Sequence, residues 1–316
     1  MRYYIGIDGG GTKTAICAVN EEDFSTTYVQ TSGSSWREHG TAGVAQLLRS
    51  TVYELIGEGH IAAMAMGLPC YTESVEGDRE LEDAIHQAFQ GVPIYLANDV
   101  EVGWAGSLAL QPGINIVAGT GSIAFGKDAN GKTVRCGGWS EFFGDEGSCY
   151  WIGRRVLEMF SKQADNRIPK DALYNIVCEE FKLANIFDII DIIHSEYLPY
   201  RERIAGLQLL AKRAALAGSG SAMSLYREAV DELCMLVDSI RSQLDFGAAS
   251  FTVSYTGGLY KAGEIVLSQF SREIARRGGV LAIPRLKAEE GAALLAFESF
   301  CPELLETARE SLLNPT

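Results

Sequence analysis

Two glycine-rich turns of the same design constrain the fold of this chain most strongly. The first is residues 8–12, Asp-Gly-Gly-Gly-Thr, and the second is residues 118–122, Ala-Gly-Thr-Gly-Ser. Apolar runs flank both turns, at residues 3–7 and 14–19 for the first and at 114–117 and 123–125 for the second. An apolar run bounded by a glycine turn is typical of a β-strand. The repeat therefore predicts two related domains that face each other, with a cleft between them.

The remaining pattern predicts an α/β fold with mixed sheets. Apolar residues spaced about 3.6 apart indicate helices, and short apolar runs closed by Gly or Pro indicate strands. Between the turns the predicted elements are strand 24–31, helix 41–57, strand 61–68, helix 78–90, strand 93–97 and helix 100–110. Beyond the second turn they are a mostly helical region over 147–246, strand 251–255, helix 262–277, strand 279–283 and helices 288–298 and 302–313. This order implies sheets that are covered by helices.

A chain of 316 residues is long enough for two domains that each bury a core. We predict an N-terminal domain over residues 1–117 and a C-terminal domain over residues 118–301. A helical insertion over about 147–246 enlarges the second domain. The C-terminal helix, residues 302–316, is expected to pack back on the first domain.

The formal net charge of −14 argues against two classes of partner, because its field repels both nucleic acid and anionic membranes. Because the first residues are followed at once by a predicted strand, we expect no signal peptide. No apolar run reaches the roughly 20 residues that are needed to cross a bilayer. The seven cysteines show no metal-binding spacing, so we expect reduced thiols in a cytoplasmic protein.

The first turn is a candidate site for the phosphates of a nucleotide. Glycine has no Cβ to block the approach of an anion, and successive amides can form an anion-binding nest. The candidate ATP-binding residues here are Gly9, Gly10, Gly11, Thr12, Lys13 and Thr14. An acid beside phosphates needs an intervening cation, so Asp8 is predicted to hold Mg²⁺ through water. The alternative is a plain β-hairpin in which Asp8 is only a turn residue.

The second turn and a later pair of glycines are candidates for the same nucleotide. The candidate ATP-binding residues are Gly119, Thr120, Gly121, Ser122, Gly257 and Gly258. Aligning the two turns places Gly9 on Gly119, Gly11 on Gly121 and Thr12 on Ser122. The pair at 257–258 follows a strand and precedes a helix, where a flat ring can lie close to the backbone. A tight strand–helix turn without a ligand is the alternative for that pair.

Acidic residues near the turns are candidates for the site of the phosphate acceptor. Asp99 follows Asn98 at the end of a predicted strand, where its carboxylate can take a proton from an attacking hydroxyl. Its alternative role is a helix N-cap. Trp139, after Gly138, can stack on a sugar ring, and Asp145 can accept hydrogen bonds from adjacent hydroxyls. The alternatives place Trp139 in the core and Asp145 at the cap of a helix that begins at residue 147.

Two motif matches are rejected because of their context. Residues 126–133 fit the phosphate-loop pattern GxxxxGK[ST], but such a loop must open a helix, and strand-like residues follow here. We predict a surface hairpin at this point, with Lys132 taking no part in activity. Residues 119–124 fit the relaxed dinucleotide pattern GxGxxA, and they also precede a strand rather than a helix.

At these residues the chain resembles the N-acetylglucosamine kinase group of the BadF/BadG/BcrA/BcrD ATPase family, within the sugar kinase, Hsp70 and actin superfamily. The motifs that carry the resemblance are Asp8 to Thr14, Asn98-Asp99, Gly119-Thr120-Gly121-Ser122, Cys136-Gly137-Gly138-Trp139, Gly144-Asp145-Glu146-Gly147-Ser148 and Gly257-Gly258. The resemblance implies two ribonuclease-H-like domains around a cleft that binds Mg-ATP. It also implies Asp99 as the base, Asp145 as a ligand of sugar hydroxyls and the glycine pair at the adenosine.

The expected activity is phosphoryl transfer from ATP, with Mg²⁺, to the 6-hydroxyl of N-acetylglucosamine. The candidate sugar contacts are Trp36, Asn98, Asp99, Gly138, Trp139 and Asp145. The family tends to have an Asn in the loop after the third strand, whereas here Trp36 follows Gly33-Ser34-Ser35. N-acetylmuramate and glucosamine are therefore alternative acceptors, and Trp36 either shapes the sugar pocket or packs against the third strand. We expect the protein to form a homodimer.

Two functions of other classes stay open. An ATP-driven activator of a 2-hydroxyacyl-CoA dehydratase would share the ATP-binding core but carry an iron–sulfur cluster on cysteines. Cys136 is the only cysteine near the right place for such a cluster. A non-catalytic sugar-sensing domain would need no general base, and the presence of Asp99 argues against it.

Overall fold

The structure is a computed structural model that describes residues 1–247 and 250–314. The chain divides into two compact units, of which unit 1 comprises residues 1–112 with those from 283 onward, and unit 2 comprises residues 113–282. The first boundary lies five residues before the predicted one. The second boundary differs more, because residues 283–301 were predicted to belong to the C-terminal domain and instead pack in unit 1.

Unit 1 contains a five-stranded sheet in the order β3-β2-β1-β4-β5. Its strands are β1 (Arg2–Gly9), β2 (Lys13–Asn20), β3 (Thr26–Ser32), β4 (His60–Leu68) and β5 (Ile94–Asn98). Helices are numbered along the whole chain, and those of unit 1 are α1 (Trp36–His39), α2 (Thr41–Ile56), α3 (Val75–Ala88), α4 (Asp99–Leu108), α12 (Ala288–Phe300) and α13 (Leu305–Leu313), with a 3₁₀ turn at Pro302–Leu304. One core forms where Ile5, Met64 and Leu48 meet Leu81 and Phe89, all fully or almost fully buried.

Unit 2 contains a second five-stranded sheet, in the order β10-β9-β6-β7-β8. Its strands are β6 (Gly113–Ala118), β7 (Ser122–Lys127), β8 (Thr133–Gly137), β9 (Phe251–Thr256) and β10 (Gly279–Leu281). Its helices are α5 (Cys149–Ala164), α6 (Ala172–Glu180), α7 (Asp188–Ile192), α8 (Arg201–Gly206), α9 (Gln208–Leu216), α10 (Gly220–Arg241) and α11 (Glu264–Arg276), with a π-helical turn at Ile193–Tyr197 and a 3₁₀ turn at Gly258–Ala262. Helices α5 to α10 lie where the helical insertion was predicted, and α10 ends at Arg241, before the predicted residue 246.

The two sheets repeat the same topology, which confirms the duplication that the glycine turns predicted. In unit 1, β1 pairs with β2 antiparallel and with β4 parallel, and β5 adds to β4 in parallel. In unit 2, β6 pairs in the same ways with β7 and β9, and β10 adds to β9. The strand order of one sheet therefore maps onto the other.

The turns themselves are not equivalent residue by residue. Gly10 donates to the carbonyl of Lys13 and closes a longer first turn, at 3.0 Å. The second turn is closed by Gly119, which donates to the carbonyl of Gly121 at 2.9 Å. Ser122 consequently lies in β7, paired with Ala118, whereas Thr12 lies in the turn before β2. The alignment of Thr12 with Ser122 was wrong, because the first turn contains more residues.

Helix α12 brings residues 283–301 into unit 1 by a close approach to β1. A Cβ on Gly6 would lie 2.0 Å from the carbonyl oxygen of Glu289 and 2.3 Å from the amide of Ala293, so only glycine fits there. The Tyr4 and Phe297 rings stack beside this contact, with centroids 3.8 Å apart. Helix α13 follows in the same unit, as predicted for the C-terminal helix, and residues 315 and 316 lie outside the described residues.

Among the helices of the described residues, none is both long enough and apolar enough to cross a membrane.

Candidate functional site

Each unit has a glycine turn with an open face. A Cβ built on Gly11 or Gly119 would meet no described atom within 4 Å beyond the adjacent residues. Neither glycine has the positive φ that side chains avoid. Thr12 and Thr120 are exposed at the same turns. The fold does not itself require glycine at residues 11 and 119, and the missing side chains leave room for a ligand at the backbone.

Other residues of the predicted phosphate sites have contacts inside their own unit. Thr14 is fully buried in β2, and its hydroxyl has no hydrogen-bond partner among the described residues. The Ser122 hydroxyl donates to the carbonyl of Glu146 at 2.6 Å. A Cβ on Gly9 would lie 2.4 Å from Oγ of Ser34, so the loop after β3 packs on the first turn. Lys13 is exposed, and its positive charge acts to lower the pKa of Asp8.

Asp8 and Asp99 form an acidic pair in unit 1. Burial, together with the negative charges of Asp99 and Glu289, raises the pKa of Asp8 to about 8, and the positive charge of Lys13 opposes this rise. A divalent cation beside these carboxylates would offset both the burial and the repulsion. Mg²⁺ commonly uses one or two carboxylates with water and phosphate oxygens, and the pair fits that ligand set.

Asn98 caps the helix that follows β5. Its Oδ1 accepts from the amide of Val100 at 3.2 Å, and its Nδ2 donates to the carbonyl of Tyr71 at 2.7 Å. The N-cap of α4 is therefore Asn98, and Asp99 is the first helical residue. The capping alternative for Asp99 was wrong, because the side chain of Asn98 caps the helix. Asn98 remains a predicted sugar contact, although its side chain is already engaged within unit 1.

Asp145 lies against the second glycine turn. Only 4% of this residue is exposed, and its Oδ1 accepts from the amide of Ser122 at 3.1 Å. Its Oδ2 accepts from the guanidinium of Arg201. Helix α5 is capped instead by Ser148, whose hydroxyl accepts from Trp151 at 3.1 Å, so the capping alternative for Asp145 was also wrong. The carboxylate is tied to the turn rather than to the helix.

The loop that leads to Asp145 carries three exposed aromatic side chains. The exposed fractions are 69% for Trp139, 88% for Phe142 and 66% for Phe143. The alternative that placed Trp139 in the core is therefore wrong. Gly138, at φ 73°, precedes this loop, and its predicted contact with sugar stays a prediction. An exposed aromatic face is suited to stacking on a sugar ring.

The glycine pair at residues 257 and 258 lies beside the second turn. Gly257 has φ 110°, and a Cβ there would lie 2.4 Å from the carbonyl oxygen of Ala118. A Cβ on Gly258 would meet only Cys149 Sγ, at 3.6 Å. Gly257 is therefore required by the backbone of unit 2. Gly258 leaves space next to the turn, as a nucleoside site would need.

Trp36 packs within unit 1. A Cβ on Gly77 of α3 would lie 2.3 Å from the Trp36 ring, which contacts the apolar core of the unit. Its indole Nε1 is buried without a hydrogen-bond partner among the described residues. The Trp36 side chain therefore packs inside unit 1, against α3 rather than against the third strand. A sugar contact of Trp36 stays a prediction.

The rejected phosphate-loop match is a hairpin. Residues 126–133 join β7 to β8, and Nζ of Lys132 donates to the carbonyl of Gln243 at 2.8 Å. Residues 119–124 run into β7, so no helix follows the dinucleotide-like match either. Both rejections are confirmed by the secondary structure.

Sequence reasoning missed two charged residues of the site, Arg201 and Glu289. Each lies far along the chain from its partner, and Arg201 is 56 positions after Asp145. Neither lies in a recognisable local motif. The acidic stretch was itself a signal that a cation must lie nearby, since a buried carboxylate needs compensation.

These features define a duplicated ATPase fold of the actin and hexokinase type, with a glycine turn and acidic side chains in each unit. The profile of the BadF/BadG/BcrA/BcrD ATPase family matches residues 5–296. The chain belongs to this family.

Relatives with assigned names include two that span nearly the whole chain. An N-acetylmuramic acid/N-acetylglucosamine kinase from Clostridium acetobutylicum is 27% identical over 281 residues, which cover 86% of this chain and 90% of that protein. An N-acetyl-D-glucosamine kinase from Dictyostelium discoideum is 27% identical and covers 94% of this chain and 98% of that protein. A crystal structure from Chromobacterium violaceum, provisionally named an N-acetylglucosamine kinase, matches with a TM-score of 0.74 and 24% identity, over 94% of this chain and 99% of that one. This last likeness supports the fold.

Proposed function

We propose that this protein is an ATP-dependent kinase of amino sugars, with the 6-hydroxyl of N-acetylglucosamine as its acceptor. The observation that carries the proposal is the open backbone at Gly11 and Gly119, in two turns where the fold has no need for glycine. Turns of this kind can present amides to phosphate oxygens. The names of the two relatives support the amino sugar.

Asp99 is the proposed base. It is partly exposed at the start of α4, and capping does not require its carboxylate because Asn98 performs that role. Phosphoryl transfer depends on alignment and charge neutralisation, with a carboxylate that orients and accepts the proton of the attacking hydroxyl. Asp99 would take that proton, while the amides of the glycine turns hold the phosphates.

Asp8 is the proposed ligand of Mg²⁺, through water. Bound there, the cation would neutralise charge on the phosphates. The pKa of Asp8 is raised because burial and the negative charges of Asp99 and Glu289 outweigh the positive charge of Lys13. Lys13, on the adjoining strand, would add a positive charge near the nucleotide.

Asp145 is the proposed ligand of sugar hydroxyls, with Trp139 stacking on the ring. An ionised carboxylate can accept about four hydrogen bonds, and two donors from the protein occupy part of that capacity. Asn98 and Gly138 are retained as proposed sugar contacts. N-acetylmuramate is the second proposed acceptor, because the Clostridium relative is named for both sugars.

A substrate screen tests the function. ADP release would be measured with glucose, glucosamine, N-acetylglucosamine and N-acetylmuramate, with Asp99→Asn as the matched inactive control. Phosphorylated product at C6, identified by ³¹P–¹H NMR, would support the proposal. Turnover of ATP without any sugar product, together with iron in the purified protein, would support an activator of the dehydratase type instead.

The homodimer is a separate proposal. Sedimentation at equilibrium would give twice the chain mass of 34.3 kDa if it is correct.

A further inference from the structure

Arg201 contacts the acidic stretch from a distant part of the chain. It is the first residue of α8, and its Nη2 donates to Oδ2 of Asp145. Its Nε lies 3.3 Å from Oε2 of Glu141. The guanidinium therefore bridges two carboxylates of the loop that carries the exposed aromatic side chains.

The ion pair also packs on the second glycine turn. A Cβ on Gly121 would lie 2.8 Å from Nη2 of Arg201 and 2.9 Å from each carboxylate oxygen of Asp145. The amide of Ser122, the next residue, holds the other oxygen of that carboxylate. The turn, the carboxylate and the guanidinium are thus fixed against one another.

Asp145 needs a cation because its surroundings favour the neutral acid. Burial raises the pKa of Asp145, and the negative charges of Glu141 and Glu146 add to this effect, while the Ser122 amide and Arg201 oppose it. Its φ of 59° lies in the left-handed region, which is uncommon for a residue other than glycine. A conformation of this kind persists where surrounding contacts enforce it.

We propose that Arg201 is a positioning residue for sugar recognition, which holds the Asp145 carboxylate ionised and fixed on the second glycine turn. This inference rests on the proposed function. Arg201 reaches the sugar only through Asp145, and its partly exposed guanidinium closes one side of the carboxylate. The remaining acceptor positions of Asp145 are then directed to sugar hydroxyls.

Kinetics over a range of pH provide the first test. Arg201→Ala should raise the KM for the sugar about tenfold or more, the usual effect of losing a hydrogen bond to a charged group, with a smaller change in the KM for ATP. The rise should be larger at pH 6 than at pH 8.5, because Asp145 without its cation holds a proton to higher pH. Arg201→Lys should recover part of the affinity for the sugar and make the sugar KM depend less on pH.

Two further variants separate positioning from simple stability. Arg155→Ala removes another ion pair of unit 2, between Arg155 and Glu228 at 2.5 Å, and should lower Tm without a pH-dependent KM. Glu141→Gln, added to Arg201→Ala, removes one repelling charge and should restore part of the sugar affinity at pH 6. A KM profile for Arg201→Ala that is flat with pH, or identical to that of Arg155→Ala, overturns the inference.

A direct titration keeps the inference separate from the proposed function. The ¹³C resonance of the Asp145 carboxyl, assigned with Asp145→Asn, would be followed with pH in the wild-type protein and in Arg201→Ala. The midpoint should move upward in the variant, and an unchanged midpoint overturns the inference. If the wild-type protein phosphorylates no sugar, the proposed function fails, whereas this titration still decides whether Arg201 controls Asp145.

Discussion

Alanine substitutions at Gly11 and Gly119 separate ligand binding from folding more sharply than any other change. Both positions have open space for a methyl group and ordinary φ. Where the backbone is compatible, Gly→Ala stabilises a protein by about 0.4–1 kcal/mol, because it restricts the unfolded chain. Each variant should therefore keep its Tm or gain about 1–4 °C, given the usual shift per kcal/mol for units of this size.

The same methyl groups should weaken ATP binding. A hydrogen bond to a charged group contributes about 1.5–3 kcal/mol, and a methyl that keeps one phosphate oxygen from the turn would remove that contribution. Since about 1.4 kcal/mol corresponds to a tenfold change, kcat/KM for ATP should fall about 10- to 150-fold. Coupled ADP detection measures the rate, and differential scanning fluorimetry measures Tm.

Two further glycines provide matched controls. Gly43→Ala, in α2, has 3.9 Å to its nearest contact and should stabilise the helix by about 1 kcal/mol with no change in activity. Gly121→Ala would collide with the Asp145 carboxylate and should lower both Tm and activity. If Gly11→Ala and Gly119→Ala remain folded and keep wild-type kcat/KM for ATP, the phosphates do not lie against these turns.

Four other changes have defined outcomes. Asp99→Asn should retain ATP and sugar binding, measured by calorimetry, but lower turnover about 10²–10⁴-fold, and near-normal turnover would remove its role as base. Asp145→Asn should raise the sugar KM far more than the ATP KM, and a stability change alone would contradict this. Lys132→Ala should leave activity unchanged, because its Nζ donates to the Gln243 carbonyl in a hairpin, and a strong loss of turnover would show that the nucleotide site is misplaced. Asp171 is the N-cap of α6, and its carboxylate accepts hydrogen bonds from Gln163 and Ser219. Although burial opposes it, these hydrogen bonds and those from backbone amides hold the pKa of Asp171 at about 2, so Asp171→Asn should lose about 1–2 kcal/mol in urea unfolding at pH 7. That difference should shrink as the pH falls from about 4 to 2, because the wild-type carboxylate is then protonated, and a constant difference would refute the assignment.

The sheets were predictable because their signal is local. Apolar runs and glycine turns mark β1, β2, β6 and β7 within a few residues, and their repetition indicated the duplicated topology before any contact was known. The placement of α12 had no such signal. It depends on the missing side chain of Gly6, more than 280 residues away, and on backbone contact that a sequence pattern does not reveal.

In the candidate site, too, the residues with a local sequence signal were predicted and those without one were not. Local patterns identified Asp99 and Asp145 but left a capping role open for each, since an Asp before a helix is equally typical of a cap. The structure assigns those caps to the neighbouring residues Asn98 and Ser148. Arg201 was not predicted, because its contact with Asp145 depends on how α8 folds across unit 2.

The duplicated sheets place different chemistry at their corresponding turns. In unit 1 the strand before the turn carries Asp8 as its last residue but one, and the raised pKa of Asp8 reflects burial and the charge of Asp99. In unit 2 the corresponding position is Ala118, and the acidic group comes instead from Asp145, with Arg201 as its counterion. A buried carboxylate beside other carboxylates is suited to a metal ion, whereas a carboxylate already paired with arginine is suited to neutral hydroxyl donors. The asymmetry between these two acids therefore favours a metal-nucleotide role for the first turn and a sugar role beside the second.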